Sequence, residues 1–185
     1  MLSALACTEA VRPLDTNIQA QALGKTGDAS GKTVNRASQK IEVRAFERRA
    51  SLADTPIQGQ LIDGLRWRDG QGENVVLFSI KNVRHSTVEG VDYPDVSAQD
   101  AYVFAAHYLT VGVGGTPVLK RLVRDKVVGC QFDLTARFLP RSFSVTDLDA
   151  NGIGEATFAY ETACLSDVSP KTLKLLILEG GEKYI

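Results

Sequence analysis

The sequence predicts an all-β fold of mostly antiparallel sheets, arranged as a sandwich or as propeller-like sheets packed face to face. Three observations point there. Apolar and polar residues alternate at period two, as where Ile41, Val43 and Ala45 are set against Glu42, Arg44 and Glu47. Clusters of Gly, Pro, Asn and Asp separate such runs at short intervals. No segment sustains a 3.6-residue period beyond two turns, the weak signals at 45–52 and 99–106 being the nearest to it.

Taken in order, residues 1–39 hold little that could pack and read as a flexible tail or tether. Gly31-Lys32-Thr33 ends like a phosphate-binding loop, but Thr26 stands where that loop needs its first Gly. Residues 40–185 read as one β-domain. A first strand covers 40–48. After the breaks at Pro56 and Gly59 comes a hairpin of 61–67 and 74–80 around Asp69-Gly70-Gln71-Gly72. Residues 84–99 read as a polar connection, with Asp92 and Asp95 as ordinary loop acids. A long buried strand is expected over 101–113, then a hairpin of 118–123 and 132–139 closed by Pro140. Residues 173–178 form another strand, and Lys183-Tyr184-Ile185 opens one with no visible partner, as if the native chain continued. The total is about nine strands.

The most informative stretch is Phe143 to Tyr160, FSVTDLDANGIGEATFAY. Two β-prone runs flank a loop in which Asp147, Asp149 and Asn151 alternate, followed by Gly152 and Glu155. Oxygens at loop positions 1, 3 and 5 converge on a hard cation such as Ca²⁺, Gly at 6 permits the sharp turn, and an acid at 9 closes the shell. An EF-hand is excluded because position 12, where a bidentate Glu belongs, is Phe158. The competing reading is a plain Asn151-Gly152 hairpin turn with solvated acids beside it.

The loop resembles the DxDx[DN]Gxx[DE] calcium loop of FG-GAP and VCBS repeats. That resemblance implies side-chain ligands from Asp147, Asp149 and Asn151, a backbone carbonyl from Ile153 and a last carboxylate from Glu155. A second copy is suggested by Gly70-Gln71-Gly72-Glu73, which lies over Gly152-Ile153-Gly154-Glu155. There Leu65 and Trp67 stand where the later copy has Asp147 and Asp149, so that turn is expected to hold no ion. Trp67 would pack instead. The domain thus reads as two related hairpin units. WRD with GENVVLF, then TDLDANGIGE and LKLLILEGGEKY, also resemble an uncharacterised family of exported bacterial proteins, some labelled for surface-polysaccharide biosynthesis. This second resemblance runs from Gln60 to the end and transfers no catalytic residue.

Composition narrows the remaining choices. A net charge of −1 gives no basic field, which makes nucleic acid a poor partner. No apolar run approaches the roughly 18 residues that cross a bilayer as a helix. Cys7 follows Ala4-Leu5-Ala6, which resembles the end of a lipoprotein signal and makes Cys7 a lipidation candidate and the protein an exported one of the envelope or periplasm. Export would free Cys130 and Cys164, each beside an expected strand, to pair as a disulfide; in a cytosol they would be inert buried thiols. The two histidines, His85 in a polar loop and His107 in an apolar strand, read as structural, and no common zinc, thiol-redox or serine-hydrolase motif is present. The expectation is a non-catalytic domain carrying Ca²⁺ and binding glycan or protein. The alternative is an enzyme or accessory factor of surface polysaccharide metabolism, which an open cleft lined by acids and aromatics away from Asp147 would favour.

Overall fold

The computed structural model describes residues 40–47, 56–85, 97–166 and 169–185. Cys7, Asp92, Asp95 and the 1–39 tail lie outside them. Ten strands form two antiparallel sheets, and no α-helix occurs among the described residues, only a 3-10 turn at Pro140–Ser142. The first sheet is a meander of β1 (Glu42–Arg44), β2 (Gln60–Arg68), β3 (Glu73–His85), β4 (Ala98–Thr110) and β5 (Val118–Cys130), each pairing with the next. The second contains β6 (Asp133–Phe138), β7 (Ser144–Thr146), β8 (Glu155–Leu165), β9 (Thr172–Glu179) and β10 (Glu182–Tyr184). Here β8 is central: β9 lies on one side, carrying β10, and β6 and β7 share the other side end to end.

The period-two pattern explains why the sheets face each other. Along β3, Val76 and Phe78 point one way; along β4, Val103 and Ala105 do the same; along β8, Ala156, Phe158 and Tyr160 answer from the opposite sheet. Together with Trp67, Phe138, Leu176 and Leu178 they make one interior. Phe78 sits at its centre, with its ring 4.3 Å from that of Phe143 and about 5 Å from those of Phe138 and Phe158. The alternate residues of β3 and β4 cover a second, smaller cluster on the outer face, where Leu77, Ala106 and Tyr108 meet Phe46 and Ile57.

Two sequence expectations are corrected. Residues 124–130 are strand, so β5 runs unbroken to Cys130 and does not turn back as a hairpin; β6 crosses to the other sheet. The C-terminal strand has a partner, since Lys183 pairs with Leu178 of β9.

Two features tie the sheets together by something other than apolar contact. Asp125 of β5 accepts hydrogen bonds from Lys174 of β9 (2.6 Å) and Tyr160 of β8 (3.0 Å). Burial opposes its charge, but Lys174, its neighbour's backbone N–H and the Tyr160 hydroxyl outweigh burial and hold its carboxyl below the usual range. At the strand ends, Cys130 of β5 is bonded to Cys164 of β8, with Cα atoms 5.5 Å apart and a sequence separation of 34. A loop of that length places the disulfide's contribution at roughly 3–4 kcal/mol. Urea unfolding of a Cys130→Ser/Cys164→Ser variant should show a loss of that size; a loss near zero would mean the bond constrains nothing.

Candidate metal centre

The hairpin of β7 and β8 carries the acidic loop, with Thr146 paired to Glu155 across its base. A side-chain oxygen from each of Asp147, Asp149 and Glu155 lies within 4.8 Å of the others. That is the width of a Ca²⁺ shell, because two ligands on opposite sides at about 2.4 Å are about 4.8 Å apart. The loop is shaped by its own side chains. Asp147 Oδ2 accepts from Gly152 N (3.1 Å), Asp149 Oδ1 from Asn151 N (3.1 Å) and Asn151 Oδ1 from Ile153 N (2.7 Å). Ala150 takes φ +57° and Gly152 φ +81°, so the chain winds tightly around the centre.

Glu155 closes the loop from beneath. Only 4% exposed, it accepts from Leu148 N with both carboxylate oxygens (3.0 and 2.9 Å), and Thr146 Oγ1 reaches it at 3.4 Å. Asp147 Oδ1, by contrast, is buried and has no hydrogen-bond partner. A buried carboxylate oxygen without a donor is unfavourable, and a cation is the partner that its surroundings of acids would accept. Glu179, at the end of β9, joins the group by accepting from Asn151 Nδ2 (2.6 Å). No Lys or Arg among the described residues pairs with any of these four acids. Ile153 belongs to the same turn, where its N–H is engaged by Asn151 Oδ1.

The first hairpin abuts this loop. Asp69 Oδ1 accepts from Gln71 N at 2.8 Å, the same turn that Asn151 makes two residues ahead of Ile153, and in both hairpins the following Glu opens the next strand. Asp69 Oδ2 then reaches out of its own sheet. It accepts from Trp67 Nε1 (2.9 Å) and from Gly154 N (3.0 Å), while Gly70 N donates to Gly152 O (3.1 Å). Any Cβ on residue 154 would run into the Trp67 indole, which is why glycine stands there. Trp67, fully buried, stacks on His107 at 5.4 Å and 25°. His107 Nε2 is 2.9 Å from Asn74 Oδ1, to which it donates, and Nδ1 is left without a partner.

The structure brings Asp147, Asp149 and Glu155 together in the one loop where the sequence places them, and adds two acids that the spacing did not assign to it, Asp69 and Glu179. Asp69 had a signal, its match to Asn151; Glu179 had none, since it arrives from a strand distant in sequence. His85 is at the end of β3 rather than in a loop, 3.0 Å from Asp100 Oδ2. No known protein family, curated protein or solved structure matches the chain.

Burial, with a smaller push from Lys120 and against the pull of Asp69, lowers the His107 pKa to about 4. An unfolded histidine titrates near 6.5, so the unfolded chain binds the extra proton between those values. Stability is therefore complete above about pH 6.5 and lost as pH falls toward 4, by about 3 kcal/mol for this group. Comparing the wild type with His107→Gln by urea unfolding from pH 7 to 4 isolates that slope from the carboxylates; parallel curves would show that His107 is not the cause. Asp69→Ala takes the acceptor from Gln71 N and Gly72 N in its own turn and from Trp67 Nε1 and Gly154 N beyond it, the first of these last two a buried indole, and should cost about 2–4 kcal/mol at pH 7 by the same measurement. Gly154→Ala should be of similar severity, through the clash with Trp67.

Proposed function

We propose that this protein is a non-catalytic, calcium-stabilised β-domain of the cell envelope that binds a glycan or protein partner. The observation that carries the metal part is Asp147 Oδ1, buried and unpartnered among carboxylates spaced for one Ca²⁺ shell. The resemblance of the loop to FG-GAP and VCBS calcium loops supports the same assignment, with Asp147, Asp149, Asn151, Glu155 and the Ile153 carbonyl as ligands. Bound there, calcium supplies charge neutralisation and pins β7 to β8; the chain's own atoms set the loop. The Cys130–Cys164 bond supports an oxidising compartment, and Cys7 is the candidate for lipid anchoring there.

The shape of the surface supports binding over catalysis. An open cleft lies on the outer face of the first sheet and is lined by Lys81, Arg124 and Lys126 with Tyr102 and Phe104. Its one carboxylate, Asp125, is held by Lys174 and Tyr160. An acid/base pair of the kind glycoside hydrolysis needs is not assembled there.

Thermal melting in Ca²⁺ against chelator tests the reading. At a hundredfold excess over Kd, an ion that binds only the folded form adds about 2.7 kcal/mol, a rise of roughly 8 °C in this size of domain. Asp147→Ala should abolish the rise. Asp69→Ala should melt lower yet keep it, since Asp69 positions the loop without facing the ion. Identical melting of the wild type in millimolar Ca²⁺ and in chelator would overturn the metal assignment.

A further inference from the structure

The outer face of the first sheet carries a feature that the metal loop does not use. Cross-strand register sets two rows there. Lys81 of β3 pairs with Tyr102 of β4, which pairs with Lys126 of β5; one step along, Ser79 pairs with Phe104, which pairs with Arg124. Residues in such rows stand on one face, with Cβ atoms about 5 Å apart. Two aromatic rings thus run down the middle, near-parallel at 10° and 6.4 Å between centroids, with a cation at each end of one row and a third at the end of the other.

The hollow they line holds about 670 Å³. Beside it a smaller apolar cavity of about 170 Å³ shares Gln58, Phe104 and Arg124 as its wall and is floored by Leu77 and Ala106. Lys81, Arg124 and Lys126 are exposed, and none has a carboxylate partner among the described residues. Two described acids on these strands are already engaged. Asp100 is taken up by Gly129 N, His85 and the Tyr102 hydroxyl, and Asp125 by Lys174 and Tyr160. Three like charges around an aromatic floor, none of them paired with a carboxylate among the described residues, are a receptor for an anion that also has an apolar face.

We propose that this trough binds an acidic oligosaccharide, its sugar rings lying over Tyr102 and Phe104 and its anionic groups meeting Arg124, Lys81 and Lys126. The inference rests on the reading of the protein as a binding domain and names its ligand class and face. A pyranose ring combines the two properties required, an apolar C–H face and anions projecting from its rim. Extended peptides are taken up by main-chain pairing at a sheet edge. The aromatic pair belongs to β4, whose backbone is paired on both sides. Nucleic acid calls for a wider basic field than a chain of net charge −1 supplies.

Isothermal titration of the full chain in calcium buffer decides the matter. The probes are a tetrasaccharide of alternating glucuronate and N-acetylglucosamine, a sulfated tetrasaccharide, neutral chitotetraose, a poly-glutamate peptide and an oligothymidylate. The acidic sugars should bind, more weakly as salt rises, and at least about tenfold more tightly than chitotetraose; which acidic sugar is preferred names the anion as carboxylate or sulfate. Lys81→Gln/Arg124→Gln/Lys126→Gln should remove binding while melting as the wild type does. Tyr102→Ala should weaken binding about tenfold with the salt dependence intact. Equal binding of chitotetraose, preference for the peptide or the oligonucleotide, indifference to the triple substitution, or no binding of either acidic sugar at millimolar concentration would overturn the proposal. The calcium-dependent melting shift is read on the same sample, so a lost ligand with a retained shift condemns the trough alone, and the reverse condemns the metal loop alone.

Discussion

Asp69 is the residue on which the arrangement of the two sheets at the loop end depends. One of its oxygens shapes its own turn; the other takes a proton donor from Trp67 in the same sheet and another from Gly154 in the opposite one. Hydrogen bonds to a charged acceptor contribute about 1.5–3 kcal/mol each. Losing this carboxylate would also strand the indole N–H of the largest fully buried side chain. The bridge sets where the second loop sits against the first hairpin, while the loop's own hydrogen bonds bring Asp147, Asp149 and Glu155 together. It also fixes Trp67 over His107, so that a buried neutral imidazole and a cluster of acids share one framework.

The fold was legible because period-two alternation is a local signal. Val76 and Phe78, or Phe158 and Tyr160, declare an inward face without reference to the rest of the chain. The convergence of the acidic loop was legible for the same reason, since Asp147, Asp149 and Glu155 lie within one short turn of chain. What the sequence hid was non-local. The charged run Arg124-Asp125-Lys126 reads as a turn, yet Asp125 points inward to Lys174, a partner 49 residues away, and the strand continues. The cation-aromatic trough was equally hidden, since Lys81, Tyr102 and Lys126 become neighbours only through sheet register.

The two ends of the sandwich are held by different chemistry. At the loop end the sheets meet through Asp69 and the backbone bond from Gly70 to Gly152. At the other, Cys130 and Cys164 join β5 to β8 covalently. Gln99 pairs with Cys130 while Thr110 pairs with Glu73, which places the trough at Tyr102 and Phe104 nearer the disulfide end. The trough and the acidic loop are therefore braced by separate supports, one covalent and one hydrogen-bonded.

Strand β5 has a further consequence. It is an outermost strand of thirteen residues, whereas the opposite border of its sheet, β1, has three, as does β10 in the second sheet. A long open border invites a neighbouring molecule to zip on, and aggregation follows. Here the border carries Lys120, Arg121, Arg124, Asp125 and Lys126, and its pairing with β4 is interrupted by irregularities near both ends. Exposed on that border, Arg124 and Lys126 act against self-association. The charge of that border, more than its length, decides whether two copies of the chain can join edge to edge.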